Sequence, residues 1–200
     1  KYMGEISKLT GRDYKLFNYY GDPEADRVII AMGSACEAIE ETIDYLRAKG
    51  EKVGLVKVHL YRPFSAKHLI EAIPQTAKKI AVLDRTKEPG ALGEPLYMDV
   101  KNVFADSDRK PLIVGGRYGL GSKDTTPAQI IAVFKNTEKK RFTIGINDDV
   151  TNLSLALDEN PDTTPAGITS CKFWGLGADG TVGANKNSVK IIGDHTDMNV

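Results

Sequence analysis

The sequence predicts an α/β fold in which a mostly parallel sheet carries helices on both faces. Strand-like and helix-like patterns alternate from residue 28 to residue 136, and this alternation is typical of parallel βαβ units. The strand-like runs are rich in Val, Ile and Leu and lack polar alternation, as expected for a sheet buried on both sides. Ser or Thr precedes three of the helix-like runs, as is common at helix starts.

The first strand–helix unit begins with RVIIAM, residues 27–32, which is a short apolar strand. Ser34 and Glu37 then have the spacing of a capping box, in which two side chains satisfy free amides at a helix start. Gly50 is placed to end this helix, because glycine readily adopts the left-handed conformation. Apolar residues between these signals follow helical spacing, at Ala35, Ile39, Ile43 and Leu46.

The second unit pairs the strand KVGLVKVHL with the helix AKHLIEAI. Ser65 can cap this helix, and Pro74 ends it because proline cannot continue the hydrogen-bond ladder. The third unit starts at the strand KIAVL, from which the loop 84–95 leads to a helix through Val103. Right-handed crossovers are expected between these parallel strands.

The fourth unit is the strand PLIVGG followed by a glycine-rich loop and a helix that runs through Phe134. Thr126 is its expected cap, and Pro127 at the first helical position fits the fixed backbone angle of proline. Residues 137–167 then break the pattern with a charged run, a short strand FTIGI, and a polar stretch that contains two prolines. We therefore predict a first domain at 1–138, a connecting segment at 139–167, and the start of a second domain at 168–200.

The stretch FWGLGADGTVGANKN, residues 173–187, is the strongest chemical candidate. Gly175, Gly177 and Gly180 have the G-x-G-x-x-G spacing, and the apolar run 168–174 predicts a strand before the turn. Helix starts attract phosphate through free amides and a partial positive charge. A tight turn without any ligand is an equally weighted alternative.

Polar side chains around this turn suggest how a ligand would be contacted. Asp179 and Thr181 can cap the helix or touch a hydroxyl, Lys186 can pair with a phosphate, and Asn187 can hydrogen-bond a polar group. A dinucleotide site also needs an acidic residue about 20 positions further on. Asp194 and Asp197 lie near that offset, but no second strand is convincing before Val200.

Two loops follow the third and fourth strands, where ligands of open α/β sheets bind. Their charged side chains can bind a ligand or face another domain, although solvated loops are favoured. These side chains are Asp84, Arg85, Lys87, Glu88, Arg117 and Lys123.

Composition excludes several classes of protein. Lys+Arg and Asp+Glu both number 27, which argues against a dedicated nucleic-acid or anionic-membrane surface. There is no apolar run of about 18 residues and no signal-peptide core, so we expect a cytoplasmic protein. Cys36 and Cys171 are isolated, so neither a zinc nor an iron–sulfur site of ordinary Cys ligation is expected, and Cys36 is expected to be a buried core residue. His195 with Asp194 and Asp197 is an improbable metal site.

Five long stretches together resemble one family. They are MGSACEAIEETIDYLRAKGEKVGLVKVHLYRPF, KIAVLDRTKEPGALGEPLYMDV, GGRYGLGSKDTTPAQ, FTIGINDDVTNLSL and FWGLGADGTVGANKNSVKIIGDHTDM. In this order they resemble pyruvate:ferredoxin (flavodoxin) oxidoreductases over nearly the whole chain. The resemblance is to the middle of that multidomain chain, with 1–138 similar to a transketolase C-terminal domain and 168–200 similar to the start of a gamma-type domain.

The resemblance implies a cytoplasmic, usually homodimeric enzyme that converts pyruvate and coenzyme A to acetyl-CoA and carbon dioxide. It implies thiamine diphosphate, Mg²⁺ and [4Fe–4S] clusters, with ferredoxin or flavodoxin as electron acceptor and the remaining domains of the parent chain as partners. The cofactor sites have no counterpart here, so we expect the isolated chain to be inactive. By the same resemblance, coenzyme A is expected at Gly177, Ala178, Asp179, Gly180, Thr181, Val182, Lys186 and Asn187.

Two alternatives remain open at this point. One is a Rossmann-type oxidoreductase fragment that binds NAD(P) at the glycine turn. The other is a purely architectural module for dimer and interdomain contacts, which would show clustered apolar surface and no pocket at the strand ends.

Overall fold

The apolar runs form one six-stranded sheet in the computed structural model, which describes residues 2–148, 150–164 and 166–200. The spatial order of the strands is β1-β3-β2-β4-β5-β6. Strands β2 to β6 run parallel to one another, so the predicted mostly parallel α/β fold is confirmed. The strands are β1 (Phe17–Gly21), β2 (Arg27–Ala31), β3 (Val53–Val58), β4 (Lys79–Asp84), β5 (Leu112–Arg117) and β6 (Arg141–Thr143).

The edge strand β1 was not predicted and is the antiparallel member of the sheet. It pairs with β3, so that Phe17 lies opposite Val58 and Gly21 opposite Gly54. From β2 the chain passes to β3 on one side and then to β4 on the other side. The strand order therefore reverses at the crevice between β2 and β4, which is the favoured ligand position in open α/β sheets.

Helices cover both faces of the sheet, as predicted. Alternate strand residues supply two separate cores: Ile29 packs in the core that contains α2 and α5, and Ile30 packs in the core that contains α3 and α4. The helices are α1 (Tyr2–Thr10), α2 (Ala35–Ala48), α3 (Ala66–Ala72), α4 (Pro95–Ala105), α5 (Pro127–Lys135) and α6 (Thr181–His195). None of them is long and apolar enough to cross a bilayer, and this finding covers the described residues only.

The predicted helix caps have mixed outcomes. Thr126 and Gln129 form the reciprocal capping box of α5, which confirms the expected start of that helix. The capping box predicted for Ser34 is wrong, because Ser34 already has right-handed helical angles and its side chain caps nothing. Ser65 also does not cap α3; its Oγ lies 2.6 Å from Nδ1 of His68.

The chain divides into two compact units, Lys1–Thr163 and Thr164–Val200. Within the first unit, β6 and an isolated bridge between Thr143 and Ser154 extend the sheet into the predicted connecting segment. Glu159 then binds Lys135 of α5 at 2.6 Å. The boundaries 1–138, 139–167 and 168–200 stay predictions.

The second unit contains α6 as its regular element, and no residue of α6 is buried. The strand predicted at 168–174 is wrong, because those residues form no sheet pairing in the described chain. A strand needs a partner to satisfy its backbone groups. The apolar character of this run therefore did not suffice to make it a strand.

Candidate functional site

The glycine turn, residues 175–180, is organised around the carboxylate of Asp179. One oxygen accepts a hydrogen bond from the Leu176 amide at 2.8 Å, and the other accepts from the Thr181 amide at 3.0 Å. The Thr181 hydroxyl donates to the same oxygen at 2.5 Å. These hydrogen bonds, above all that from the Thr181 side chain, lower the pKa of Asp179. Asp179 is thus an anionic cap of the helix start.

Each glycine of the fingerprint has a geometric reason. At Gly175, a Cβ would lie 2.6 Å from Cβ of Thr181 and 2.7 Å from Oδ1 of Asp179, so a side chain would push the turn apart. Gly177 and Gly180 have φ values of +64° and +87°, which glycine adopts at little cost. The fingerprint therefore specifies a closed turn that leads into α6.

The first turn of α6 provides the chemistry for an anionic ligand. The amide of Thr181 donates to Asp179, while the next amides at the start of an α-helix have no acceptor within the helix. Those of Val182 and Gly183 can therefore donate to a phosphate. The partial positive charge at the helix start acts in the same direction.

A cleft of about 380 Å³ opens beside this turn and is named the helix cleft. Three of the predicted contact residues, Thr181, Val182 and Lys186, lie on its wall. Asn187 does not; it lies roughly 170° around α6 from the centre of that wall, at 100° per residue. The helix cleft is lined by Phe173, Thr181, Val182, Asn185, Lys186 and Val189.

The sequence analysis did not name Asn185 as a contact residue, although its spacing from Thr181 could have indicated it. Thr181, Asn185 and Val189 follow each other at intervals of four residues, which places them on one helix face. Phe173 has no comparable signal, because it reaches the cleft from an irregular segment.

A second group of candidate residues lies at the carboxyl ends of the strands in the first unit. Asp84, at the end of β4, is buried and accepts hydrogen bonds from the amides of Leu96 and Tyr97 at 2.9 and 3.0 Å. Burial is the main reason that its pKa is raised. Asp84 therefore fixes the start of α4 and is not free for a ligand.

Glu94, which precedes α4, is the centre of a buried ion-pair network. Its Oε1 lies 2.6 Å from Nε of Arg117, and its Oε2 lies 3.3 Å from Nη2 of Arg141. Arg141 also donates to the carbonyl of Leu92. The network ties the loop 84–95 to β5 and β6.

Two clefts flank these residues. The switch-point cleft, of about 310 Å³, lies where the strand order reverses and includes Ser34, Arg85 and Lys123. The loop cleft, of about 500 Å³, lies between residues 87–91 on one side and residues 146–148 and 150–153 on the other, and it includes Lys87 and Arg117. The structure therefore distributes the charged candidates of the two loops over two separate clefts.

The two cysteines differ in their exposure. Cys36 is buried as predicted, and burial raises its pKa to about 11. Cys171 is exposed. No group of three His, Cys, Asp or Glu side chains with metal-binding geometry occurs among residues 2–148, 150–164 and 166–200.

The first unit is thus an open, mainly parallel α/β domain with clefts at the carboxyl ends of its strands. Residues 25–130 match the family model described as pyruvate:ferredoxin oxidoreductase core domain II, and the chain belongs to this family.

The relatives that match this chain are much longer than it is. It is 64% identical to a pyruvate-flavodoxin oxidoreductase of Enterobacter agglomerans and 62% identical to a pyruvate:ferredoxin oxidoreductase of Moorella thermoacetica. Both similarities cover 98% of this chain but only 17% of the relative. A solved 2-oxoglutarate:ferredoxin oxidoreductase of Magnetococcus marinus, with 2-oxoglutarate, coenzyme A and succinyl-CoA bound, is 24% identical with a TM-score of 0.41. That similarity covers 64% of this chain and 20% of the solved one.

Proposed function

We propose that this chain is part of an enzyme that oxidatively decarboxylates pyruvate with coenzyme A and passes the electrons to ferredoxin or flavodoxin. The main support for this proposal is that the chain is 62–64% identical, over 98% of its length, to a pyruvate:ferredoxin and a pyruvate-flavodoxin oxidoreductase. Because the chain spans 17% of their length, the activity belongs to the longer protein. We further propose that this parent protein is cytoplasmic and homodimeric, and that the chain alone is inactive.

Within that enzyme, we propose that the glycine turn and α6 position coenzyme A. The free amides at the start of α6 and the ammonium group of Lys186 would face its phosphates, and Thr181 would offer a hydroxyl. Gly177, Ala178 and Gly180 would let the ligand approach the backbone, and Asn187 would contact a more distant part of it. Positioning of this kind lowers a reaction barrier by pre-arranging the reactants.

The cofactors of the family do not fit the residues of this chain. A [4Fe–4S] cluster is bound by four cysteine thiolates, whereas this sequence has two cysteines, one of them buried with a raised pKa. The described residues also lack a cluster of acidic ligands suited to Mg²⁺. We therefore place thiamine diphosphate, Mg²⁺ and the clusters in other parts of the parent protein and assign no step through them to this chain.

The test uses the parent enzyme and its pyruvate-dependent reduction of an electron carrier. Lys186→Gln removes one charge-assisted contact to a phosphate, so the KM for coenzyme A should rise about tenfold or more. The KM for pyruvate should stay unchanged. Lys190→Gln is the matched control, because Lys190 is an exposed lysine of the same helix outside the cleft wall. An equal rise in both variants, or no rise in Lys186→Gln, would exclude the proposed contact.

NAD(P) binding at the glycine turn has less support. A dinucleotide fold needs a strand before the turn and an acidic residue at the end of a second strand. Residues 168–174 form no strand, and Asp194 lies inside α6. Titration of the parent enzyme with NADH and with coenzyme A separates the two ligands, since NADH binding without coenzyme A binding would favour the dinucleotide.

An architectural role for the first unit has support from one feature. Tyr2, Ile6 and Leu9 lie on one side of α1 and are 73%, 46% and 86% exposed. Such a stripe is typical of a surface that contacts another protein segment. Clefts also open at the strand ends, which is not expected of a purely architectural module. We therefore propose the contact role in addition to the enzymatic assignment.

A further inference from the structure

Arg117 combines burial with unused hydrogen-bonding capacity. It ends β5, and only 14% of its side chain is exposed. Its Nε donates to Glu94, but neither Nη atom has a hydrogen-bond partner in the described part of the chain. A guanidinium group offers five donors in a planar fork. The Nη atoms are not among the buried side-chain atoms that lack a partner, so they are open to solvent and can donate to a ligand in the adjoining cleft.

The neighbouring carboxylates do not supply those acceptors. Glu94 divides its two oxygens between Arg117 and Arg141, so one carboxylate serves two cations. Asp84 lies opposite Arg117 in the sheet register, but its oxygens accept from two amides of α4. Arg117 is therefore anchored on one side and available on the other.

The available side faces the loop cleft. This cleft of about 500 Å³ falls within the range of small-molecule sites. Lys87 lies on its rim and has no ion-pair partner among the described residues. Its lining includes Lys87, Gly90, Arg117, Asp148 and Thr151.

The carboxylate of Asp148 on the cleft wall stays negatively charged, but hydrogen bonds from its own loop engage both of its oxygens. Asp148 accepts hydrogen bonds from the amides of Val150, Thr151 and Leu153 and from the hydroxyl of Thr151. Led by the Thr151 hydroxyl, these bonds lower its pKa to about 2. With its oxygens occupied in this way, Asp148 does not compete for the fork of Arg117. Glu88 is exposed and adds a negative charge at the rim.

We propose that the loop cleft binds a small anion that carries a phosphate or carboxylate group. The Nη atoms of Arg117 donate to its oxygens, and Lys87 adds charge at the rim. Arginine suits this role because its fork matches the two oxygens of such a group. This site is separate from the glycine turn and does not depend on the proposed coenzyme A role.

The test follows backbone amide NMR resonances of the 200-residue chain while inorganic phosphate or succinate is added at constant ionic strength. We expect saturable shifts of the Gly90 and Thr151 amides with at least one of the two probes. Saturation with phosphate alone or with succinate alone identifies which group the site prefers.

Arg117→Gln should weaken the binding about tenfold or more, as expected for loss of a charged hydrogen bond. Arg141→Gln is the matched control, because Arg141 also binds Glu94 but does not line the cleft. It should leave the affinity unchanged. Lys87→Gln, at an exposed position, should weaken binding up to about fivefold without affecting the fold.

Three results would overturn the proposal. The first is the absence of saturable shifts with both probes. The second is equal weakening by Arg117→Gln and Arg141→Gln, which would trace the effect to the ion-pair network. The third is an unchanged affinity in Lys87→Gln, which would show that the charge of Lys87 does not contribute to binding. This third result also tests the proposal if Arg117→Gln does not fold.

Discussion

The Nε atom of Arg117 lies 2.6 Å from Oε1 of Glu94, and Glu94 is only 1% exposed. A carboxylate removed so completely from water is stabilised by its two guanidinium partners. Loss of one side of a buried ion pair leaves the other charge uncompensated, which typically costs several kcal/mol.

Glu94→Gln should therefore lower the free energy of unfolding by about 3–5 kcal/mol, measured by urea denaturation. Glu71→Gln is the control, because Glu71 pairs with Lys67 on the surface at 3.9 Å. That change should cost less than about 0.5 kcal/mol. Similar costs for the two variants would contradict a stabilising role of the network.

Lys79 predicts an unusual dependence of stability on pH. Its side chain is buried and donates to the carbonyls of Val133, Phe134 and Asn136 at the end of α5. Burial nevertheless lowers its pKa from 10.5 to about 8. Between those values the unfolded chain binds more protons than the folded one, so stability rises with pH.

The expected gain from this residue is about 2 kcal/mol between pH 7 and pH 9.5. The measurement compares the urea unfolding midpoints of the unsubstituted 200-residue chain and of its Lys79→Met variant across that pH range. Tyrosine ionisation affects both proteins alike and cancels in the difference. A difference that stays constant with pH would show that Lys79 keeps its ordinary pKa in the fold.

Gly116 predicts a steric coupling inside the sheet. A Cβ there would overlap the ring of Phe142 and lie 2.7 Å from Cδ2 of Leu83. Gly116→Ala should cost about 1–3 kcal/mol, as overpacking of a core does. In the double variant with Phe142→Leu, the smaller side chain should recover about 1 kcal/mol of the summed costs.

The control for this pair is Gly4→Ala in α1, where a Cβ meets nothing within 4 Å. It should not lower stability, because alanine favours a helix over glycine. Strict additivity of Gly116→Ala and Phe142→Leu in denaturation experiments would show that the two positions do not share space.

The two cysteines should react at very different rates. With its pKa raised from 9.0 to about 11 by burial, Cys36 has about a hundredfold less thiolate than an ordinary thiol. Iodoacetamide at pH 8 should label the exposed Cys171 in the folded chain and Cys36 only in urea. The labelling is measured by mass spectrometry of the unsubstituted 200-residue chain and of its Cys171→Ser variant. Rapid labelling of Cys36 in the folded Cys171→Ser variant would contradict its buried position.

Local patterns predicted the centre of the sheet and the short strand at β6, but not the antiparallel edge strand β1. The runs that became β2, β3, β4 and β5 are apolar because both of their faces are covered, and this property is visible in composition. The edge strand β1, FNYYG, mixes aromatic, polar and glycine residues, and its pairing with β3 is nonlocal. Helix α1 was not predicted either; its apolar residues are spaced for one helix face, but none of them is buried.

The candidate sites show the same distinction. The turn at Gly175–Gly180 was identifiable because its glycines, Asp179 and Thr181 all interact within a few residues. The partners of Glu94 lie 23 and 47 residues away, so no short motif contains them. The strand predicted at 168–174 is wrong because an apolar run forms a strand only where a neighbouring strand can pair with it.

The double hydrogen bond from α4 to Asp84 closes the loop 85–93 into a ring whose two ends stay together. Because the segment around Gly90 is exposed, changes in its length or side chains should not move β4 or α4. Two glycines limit this freedom: Gly90 has a φ of +78°, which favours glycine, and a Cβ at Gly93 would meet Tyr97 and the sulfur of Met98. Substitutions at this rim can therefore change the chemistry of the loop cleft while the framework beneath it keeps its shape.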